Sequence, residues 1–206
     1  FNKDGFACFD VYYNNNFYKT IRLSIPGMHN VMNALACISL CHEYGIPKED
    51  IKNGLAKYTG AHRRFEYVGS FNQGVRVYDD YGHHPTEIMA TSKALKQKQY
   101  RQSWVVFQPH TYSRTKNLLD DFAKALLDFD HVIITDIYAA REDNIYGVSA
   151  KDLVDKLNSY NKKALYIPNF DEIVTYLKEH TIKDDIVLTL GAGTVTNIGP
   201  MLVTDP

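Results

Sequence analysis

Apolar and polar residues divide most of the chain into alternating strand-like and helix-like segments. From residue 66 onward, short apolar runs typical of buried strands are followed by segments with helical spacing. The predicted strands are 66–71, 75–79, 104–108, 131–135, 164–167 and 186–190. The predicted helices are 86–97, 117–127, 150–159 and 170–180. Repeated strand–helix units favour an α/β fold with a mostly parallel sheet and helices on both faces.

The first 60 residues have a different pattern. Strands are predicted at 6–9 and 17–25, separated by the turn-rich residues 14–16, and helices at 30–44 and 47–58. Two strands alone are barely stable in water. We therefore expect this part to be the remnant of a larger sheet.

Polar stretches follow the ends of several predicted strands. Their sequences are DDYGHH (79–84), QPHTYSR (108–114), DIYAARE (136–142) and GAGT (191–194). In a parallel sheet the carboxyl ends of the strands share one edge, so these stretches are expected to meet in one crevice, where open α/β sheets bind ligands. The pattern predicts the location of a site but not its reaction.

Composition restricts the choice of function only slightly. Of the 206 residues, 45% are hydrophobic and 23% charged, and the net charge is −1, so composition does not indicate binding to nucleic acid or another polyanion. No apolar run approaches the roughly 20 residues of a membrane span. Three sparse cysteines fit reduced thiols in a cytoplasmic protein.

The run DDYGHHPTE (79–87) resembles the signature of the Mur ligases, which build the peptide of bacterial cell-wall precursors. Three more stretches resemble segments of the same family: GMHNVMNALA (27–36), HRRFE (62–66) and FQPHTYSRT (107–115). The resemblance covers nearly all of the chain but only the back half of the family's chain. Within this family, the chain most resembles the members that add the first amino acid of the peptide.

The resemblance implies two domains. Residues 1–60 would be the tail of the family's central ATP-binding domain, and residues 61–206 a Rossmann-like C-terminal domain that binds the amino acid and part of the nucleotide. The sequence contains no GxxGK[ST] phosphate loop. In this family that loop and most Mg²⁺ ligands lie in the central domain, upstream of the matched region. We therefore expect this chain by itself to be an inactive fragment that lacks the preceding domains.

The resemblance also implies a reaction. These enzymes are ATP-dependent carbon–nitrogen ligases that phosphorylate a carboxylate, which the amine of an amino acid then attacks. ATP and Mg²⁺ would be the cofactors, and UDP-N-acetylmuramate and L-alanine the substrates. No nucleic acid or membrane partner is expected.

Particular residues match the family's nucleotide-binding positions. The resemblance implies that Asn30 and Asn33, together with His29, contact the adenine of ATP. It implies that Arg64 reaches the ATP phosphates as a catalytic residue, and that Asp80 holds the ribose hydroxyls. A guanidinium suits a phosphate, and a carboxylate accepts two hydroxyl hydrogen bonds.

Other residues match the amino-acid side of the family's site. Tyr81 and His83 would lie near the amino acid and the reacting centre. His83 is the candidate for proton handling, since the unperturbed pKa of histidine is near neutrality. Arg114 resembles the arginine that pairs with the substrate carboxylate. Thr111 stands where some members carry a second arginine, and His84 is equally suited to a structural role.

Simpler interpretations remain open for several of these residues. Asn30 and Asn33 could cap a helix. The two adjacent arginines at 63–64 could be solvated charge, and Arg141 with Glu142 could form a surface ion pair. The turn at 191–193 could be a tight strand–helix connection or could approach a ligand closely.

Three other functions are alternatives. A ligase that attaches a ready-made peptide to the same UDP-sugar during recycling has a similar histidine run, although the stretch at 107–115 favours the amino-acid-adding members. A nucleotide-binding module without catalytic activity is a second possibility. A zinc site at His83, His84 and His110 is the third, and it would need three or four converging ligands.

Overall fold

The computed structural model describes residues 1–2 and 5–204, and the chain divides into two compact units. One unit comprises Phe1–Ala61 with Lys93–Gln99. The other comprises His62–Ser92 and the chain from Tyr100 onward. We describe each unit by itself.

The first unit contains a hairpin and two helices. Strands β1 (Phe6–Tyr13) and β2 (Asn16–Pro26) pair antiparallel. The turn between them has Asn14 and Asn15 at positive φ, a conformation that asparagine tolerates better than most residues. Helices α1 (Met28–Glu43) and α2 (Lys48–Lys57) follow. The four elements lie where the pattern predicts them, and the strands are longer than predicted.

A small core holds the first unit together. Ile21 of β2, Ile38 of α1 and Ile51 of α2 are almost completely buried and belong to one apolar cluster. Several large apolar side chains of the same unit are nevertheless exposed: Tyr12, Phe17, Met28, Met32, Leu40 and Tyr44. Burial in this unit is therefore incomplete.

The second unit is built on a six-stranded sheet within the described residues. Its strands are β3 (Glu66–Phe71), β4 (Val75–Asp80), β5 (Ser103–Phe107), β6 (His131–Ile134), β7 (Ala164–Tyr166) and β8 (Ile186–Leu190). Their order is β3-β4-β8-β5-β6-β7. The hairpin β3–β4 is antiparallel and every other pairing is parallel, so the predicted mostly parallel sheet is confirmed.

The helices of this unit are α3 (Pro85–Leu95, of which the residues from Lys93 onward are assigned to the first unit), α4 (Tyr112–Asn117), α5 (Leu119–Leu126), α6 (Ala150–Ser159), α7 (Phe170–His180) and α8 (Ile198–Val203). A 3₁₀ turn at Thr194–Asn197 precedes α8. The helix predicted at 117–127 is present as α5, which begins two residues later, after the non-helical Leu118 (φ −116°). The pattern missed α4, which lies within the polar stretch that follows β5. The pattern also missed α8, a short helix that contains Gly199 and Pro200.

Side chains on both faces of the sheet pack against helices. Val106 of β5 shares a buried cluster with Leu177 of α7 and Leu202 of α8. Phe107, the next residue, points to the opposite face because side chains alternate along a strand, and its ring packs against Phe122 of α5. The expected arrangement of helices on both faces is confirmed. Among the described residues, no helix combines the length and the apolar character needed to cross a membrane.

The unequal burial of the two units leads to a prediction about their local stability. Every residue of β5 and β8 is buried, whereas β1 and β2 keep many exposed positions. Segments with few buried contacts open at lower free energy. We expect the amides of β5 and β8 to exchange hydrogen more slowly, relative to their intrinsic rates, than those of β1 and β2. Hydrogen exchange monitored by NMR tests this. Equal protection of the amides in β1 and β2 and of those in β5 and β8 would contradict it.

Candidate functional site

The carboxyl ends of three neighbouring strands lie level with one another. Asp80 of β4 is in register with Leu190 of β8, which is in register with Phe107 of β5. The polar stretches that follow these strands therefore leave the sheet at one edge. Contacts described below join His83, His110 and Arg114, so the predicted convergence of Asp80, His83 and Arg114 at this edge is observed.

Asp80 is almost fully buried and accepts hydrogen bonds from two backbone amides. Gly82 N–H donates to Oδ1 (2.7 Å) and Phe65 N–H donates to Oδ2 (2.8 Å). The Thr91 hydroxyl is a further donor. Burial raises the pKa of Asp80, although these hydrogen bonds and the nearby Arg64 charge oppose the shift. Asp80 thus holds the turn after β4 in place by accepting from three donors.

The neighbouring Asp79 forms a buried ion pair with Arg63. Arg63 Nε lies 2.8 Å from Asp79 Oδ2, and a second guanidinium nitrogen donates to the carbonyl of Gly191. The hydroxyls of Thr189 and Thr196 also donate to Asp79. Arg63 is therefore not solvated charge. It ties the segment before β3 to the ends of β4 and β8.

Arg64 differs sharply from Arg63. Its side chain is 53% exposed, and its guanidinium lies 3.7 Å from Glu87 Oε1 and 5.9 Å from the centre of the Tyr81 ring. Such an exposed pair contributes little to stability and is easily replaced. The Arg64 guanidinium is therefore accessible from solvent.

The hydrogen bonds of His83 indicate its tautomer. Its Nδ1 lies 3.0 Å from the carbonyl oxygen of Tyr81, which can only accept. Nδ1 must therefore carry the hydrogen, and in the neutral ring Nε2 is left as an acceptor. Glu87 lies 3.4 Å from the same Nδ1 and accepts from the backbone amide of His83. A neutral His83 in this arrangement can take up a proton at Nε2.

His84 has a mainly local role. Its side chain is exposed and its Nδ1 accepts from Thr86 N–H (3.3 Å), while its own N–H donates to Glu87. Within residues 1–2 and 5–204, no group of three histidine, cysteine or acidic side chains is arranged to hold a metal ion. The hypothesis of a zinc site at His83, His84 and His110 therefore has no support from the geometry.

His110 connects the segment after β4 with the segment after β5. Its ring lies 5.6 Å from that of His83, and Arg114 Nη1 lies 3.4 Å from its Nδ1. Because an arginine can only donate, Nδ1 of His110 accepts. Burial, and then the positive charge of Arg114, lowers the pKa of His110. Sequence reasoning had considered His110 only as a zinc ligand.

Thr111 has a strained backbone between these residues. Its φ of 66° and ψ of 145° are unusual for a β-branched residue, and such conformations cost about 1–3 kcal/mol. Its N–H donates to the carbonyl of Tyr138 (2.9 Å), and its hydroxyl faces the amide of Arg114 (3.4 Å). Thr111 is thus the N-cap of α4.

Glu142 does not behave as the surface ion pair considered above. The ion pairs among the described residues do not include one between Arg141 and Glu142. Instead, Glu142 accepts from the backbone amide of Ser113 (2.8 Å) and from its hydroxyl. These bonds lower the pKa of Glu142. No pattern in the sequence signals a contact between residues 29 positions apart.

The glycines at 191 and 193 are required by internal packing. A Cβ on Gly191 would lie 2.7 Å from the carbonyl oxygen of Gln108. A Cβ on Gly193 would lie 2.4 Å from the side-chain oxygen of Gln108. Gly191 also has a φ of 144°. The side-chain oxygen of Gln108 accepts from Val195 N–H. The tight strand–helix turn is thus the supported interpretation.

Asn30 and Asn33 do not cap α1. The helix begins after Gly27 without a side-chain cap. Asn30 donates to the carbonyl of Pro26 (2.7 Å), and Asn33 lies within reach of the Asn30 side-chain oxygen (3.4 Å). The exposed side chain of His29 lies close to Gly27. A Cβ added to Gly27 would be 2.6 Å from the His29 ring.

Asn30 and Asn33 line a cavity of about 540 Å³ within the first unit. The remaining lining is mostly apolar and includes Leu23, Ile25, Ala34, Ile46, Ile51, Leu55 and Tyr58. A mostly apolar pocket with a few polar groups is typical of small-molecule sites.

Comparison with protein families gives one match over most of the second unit. Residues 63–193 match the model described as Mur ligase, glutamate ligase domain. A UDP-N-acetylmuramate–L-alanine ligase of Acetivibrio thermocellus is 48% identical over 205 residues, which span 100% of this chain and 44% of that relative. The chain therefore spans less than half the length of this curated relative.

Solved structures give a consistent result. The UDP-N-acetylmuramate–alanine ligase of Thermotoga maritima superposes with a TM-score of 0.81 at 28% identity, covering 97% of this chain and 43% of that one. A murein peptide ligase from Psychrobacter arcticus superposes with a TM-score of 0.69 at 25% identity, covering 95% and 41%.

The environment of His110 leads to a test by titration. We expect His110 to titrate below its ordinary value of 6.5 in this chain, because burial and Arg114 disfavour its charged form. Arg114→Gln should raise the midpoint, since it removes the positive charge. NMR titration of the histidine ring protons measures both. An Arg114→Gln midpoint at or below that of the parent chain would show that Arg114 does not act on His110.

Proposed function

The chain belongs to the Mur ligase family, and we propose that it supplies the amino-acid side of an ATP-dependent ligase that joins L-alanine to UDP-N-acetylmuramate. The observation that carries the proposal is the meeting of Arg64, His83 and Arg114 at one sheet edge. Together they offer a phosphate-binding cation, a proton acceptor and a carboxylate-binding cation. The similarity to alanine-adding relatives supports the choice of amino acid.

On this proposal, Arg114 binds the carboxylate of the incoming amino acid. A guanidinium offers several donors in a planar arrangement that matches a carboxylate. With Thr111 in place of a second arginine, the pairing depends on one guanidinium and on the donors around it. Tyr81 lies beside His83, with ring centres 5.2 Å apart, and would form part of the wall around the amino acid.

His83 would handle the proton of the attacking amine. An amine must lose a proton when it forms an amide. Because the Tyr81 carbonyl keeps hydrogen on Nδ1, Nε2 is the atom that would accept this proton. Arg64 would stabilise the charge of the acyl phosphate and of the phosphate that leaves, which is the main task of protein groups around a transferring phosphoryl group.

Each unit by itself contains residues that match nucleotide-binding positions of the family. Asn30 and Asn33 offer amide donors and acceptors to an adenine edge, and the apolar cavity beside them suits a purine. His29 would contribute beside them. Asp80 would accept from a ribose hydroxyl. Mg²⁺ would neutralise phosphate charge in such a reaction. The family resemblance assigns most of its ligands to the part of the ligase that this chain does not span.

Arg114→Ala tests the assignment of the carboxylate site. We define the chimeric ligase as the preceding part of the Acetivibrio thermocellus relative joined to this chain. In it we expect the KM for L-alanine to rise roughly 10- to 150-fold, because a hydrogen bond to a charged group contributes about 1.5–3 kcal/mol. Steady-state kinetics with each substrate varied measures the change. The exposed Lys116→Ala on the same helix is the matched control, and an unchanged KM for L-alanine with a raised KM for ATP would reassign Arg114.

The chain by itself should neither hydrolyse ATP nor join L-alanine. Phosphoryl transfer depends on a phosphate cradle and Mg²⁺, and the sequence has no GxxGK[ST] loop. A phosphate-release assay with ATP, Mg²⁺, L-alanine and UDP-N-acetylmuramate measures this, with the chimeric ligase as positive control. Turnover above background that Asp80→Ala abolishes would show that the site is complete in this chain.

A further inference from the structure

The segment that carries Arg114 is held by a second loop of the same unit. Residues 109–114 follow β5, and residues 136–142 follow β6. Tyr138 N–H donates to the carbonyl of Pro109 (2.8 Å), and Thr111 N–H donates to the carbonyl of Tyr138 (2.9 Å). The rings of His110 and Tyr138 stack with their centres 5.6 Å apart. The start of α4 therefore takes its position from the loop after β6.

Glu142 makes a further attachment between residues 109–114 and residues 136–142. It accepts the backbone N–H and the hydroxyl of Ser113, one residue before Arg114. Its own N–H donates to the carbonyl of Ala139, which closes the loop on itself. Glu142 is thus held through its backbone N–H and through its carboxylate, and the carboxylate binds both the backbone and the side chain of Ser113.

The hold on Ser113 has a consequence for Arg114. The strained Thr111 is bounded on one side by its bond to Tyr138 and on the other by the Ser113–Glu142 bonds. A strained backbone persists only when its surroundings hold it. Without Glu142, the first turn of α4 could relax, and the Arg114 guanidinium would leave its place beside His110.

We propose that Glu142 is a positioning residue of the amino-acid site. Through Ser113 it holds α4 in the orientation in which Arg114 can bind the carboxylate of the amino acid. This inference rests on the proposed function for the role of Arg114. The bonds that tie Glu142 to Ser113 are independent of that proposal.

Two substitutions separate positioning from direct binding. In the chimeric ligase, we expect Glu142→Ala to raise the KM for L-alanine about 10-fold and to leave the KM for ATP and for the UDP-sugar unchanged. We expect Glu142→Gln to stay within about threefold of the parent, because an amide can accept from Ser113 N–H and donate to the Ser113 hydroxyl. If Glu142→Gln is as impaired as Glu142→Ala, the charge itself is needed and the positioning role is wrong.

A double-substitution cycle tests whether the effect passes through Arg114. Residues that act through one another are not additive. In an Arg114→Ala background, Glu142→Ala should cause less than a twofold further change in the KM for L-alanine. An additive change would show that Glu142 acts independently of Arg114. Glu179→Ala, an exposed carboxylate in the last turn of α7, is the control and should leave every parameter unchanged.

A measurement without activity separates this inference from the proposed function. In the 206-residue chain, Glu142→Ala should shift the NMR signals of the Ser113 and Arg114 backbone amides and of Arg114 Nε–H, and Glu142→Gln should shift them less. Unmoved signals would overturn the positioning role even if the chimeric ligase uses L-alanine. If instead the signals move but the parent chimera does not join L-alanine, the proposed function fails while the structural link stands.

Discussion

The common register of β4, β8 and β5 is the constraint on which the site depends. Because Asp80, Leu190 and Phe107 lie level, the chain leaves three adjacent parallel strands at the same height. Each following segment then begins within a few ångströms of its neighbours. The segments after β4 and β5 carry the proposed functional residues His83 and Arg114, and the segments after β6 and β8 pack against them. Shifting one strand by one residue would turn its buried side chains to the other face, so the packing of the core also fixes the site.

Two carboxylates at this edge, Asp79 and Asp80, are held by several donors of the same unit. Asp79 binds Arg63 and two threonine hydroxyls, and Asp80 binds the amides of Phe65 and Gly82. Removing one partner of a buried ion pair leaves an uncompensated charge, which costs about 3–5 kcal/mol. The two adjacent arginines therefore differ in their environment. Arg63 is immobilised inside, and Arg64 remains exposed beside Tyr81 and Glu87.

Much of this architecture could be predicted from local pattern. Strands such as 186–190 are continuous apolar runs, and α6 and α7 have regular helical spacing with polar residues at their starts. The prediction failed where local signals conflict. The short helix α4 was missed within a polar stretch, and Gly199 with Pro200 concealed α8. In both places tertiary packing overrides local preference.

The sequence by itself determined the α/β fold, the edge at which polar segments gather, and the candidates Arg64, His83 and Arg114. Periodicity reports which residues are buried, and strand direction then fixes which ends meet, whereas the three candidates follow from the resemblance of their motifs to those of a known family. Only the tertiary structure decided which of two adjacent arginines is buried, which nitrogen of His83 is left to accept a proton, and what Glu142 holds. Each of these depends on a partner selected by folding. Arg63 and Gly191 are 128 positions apart, and no local pattern records such a pairing.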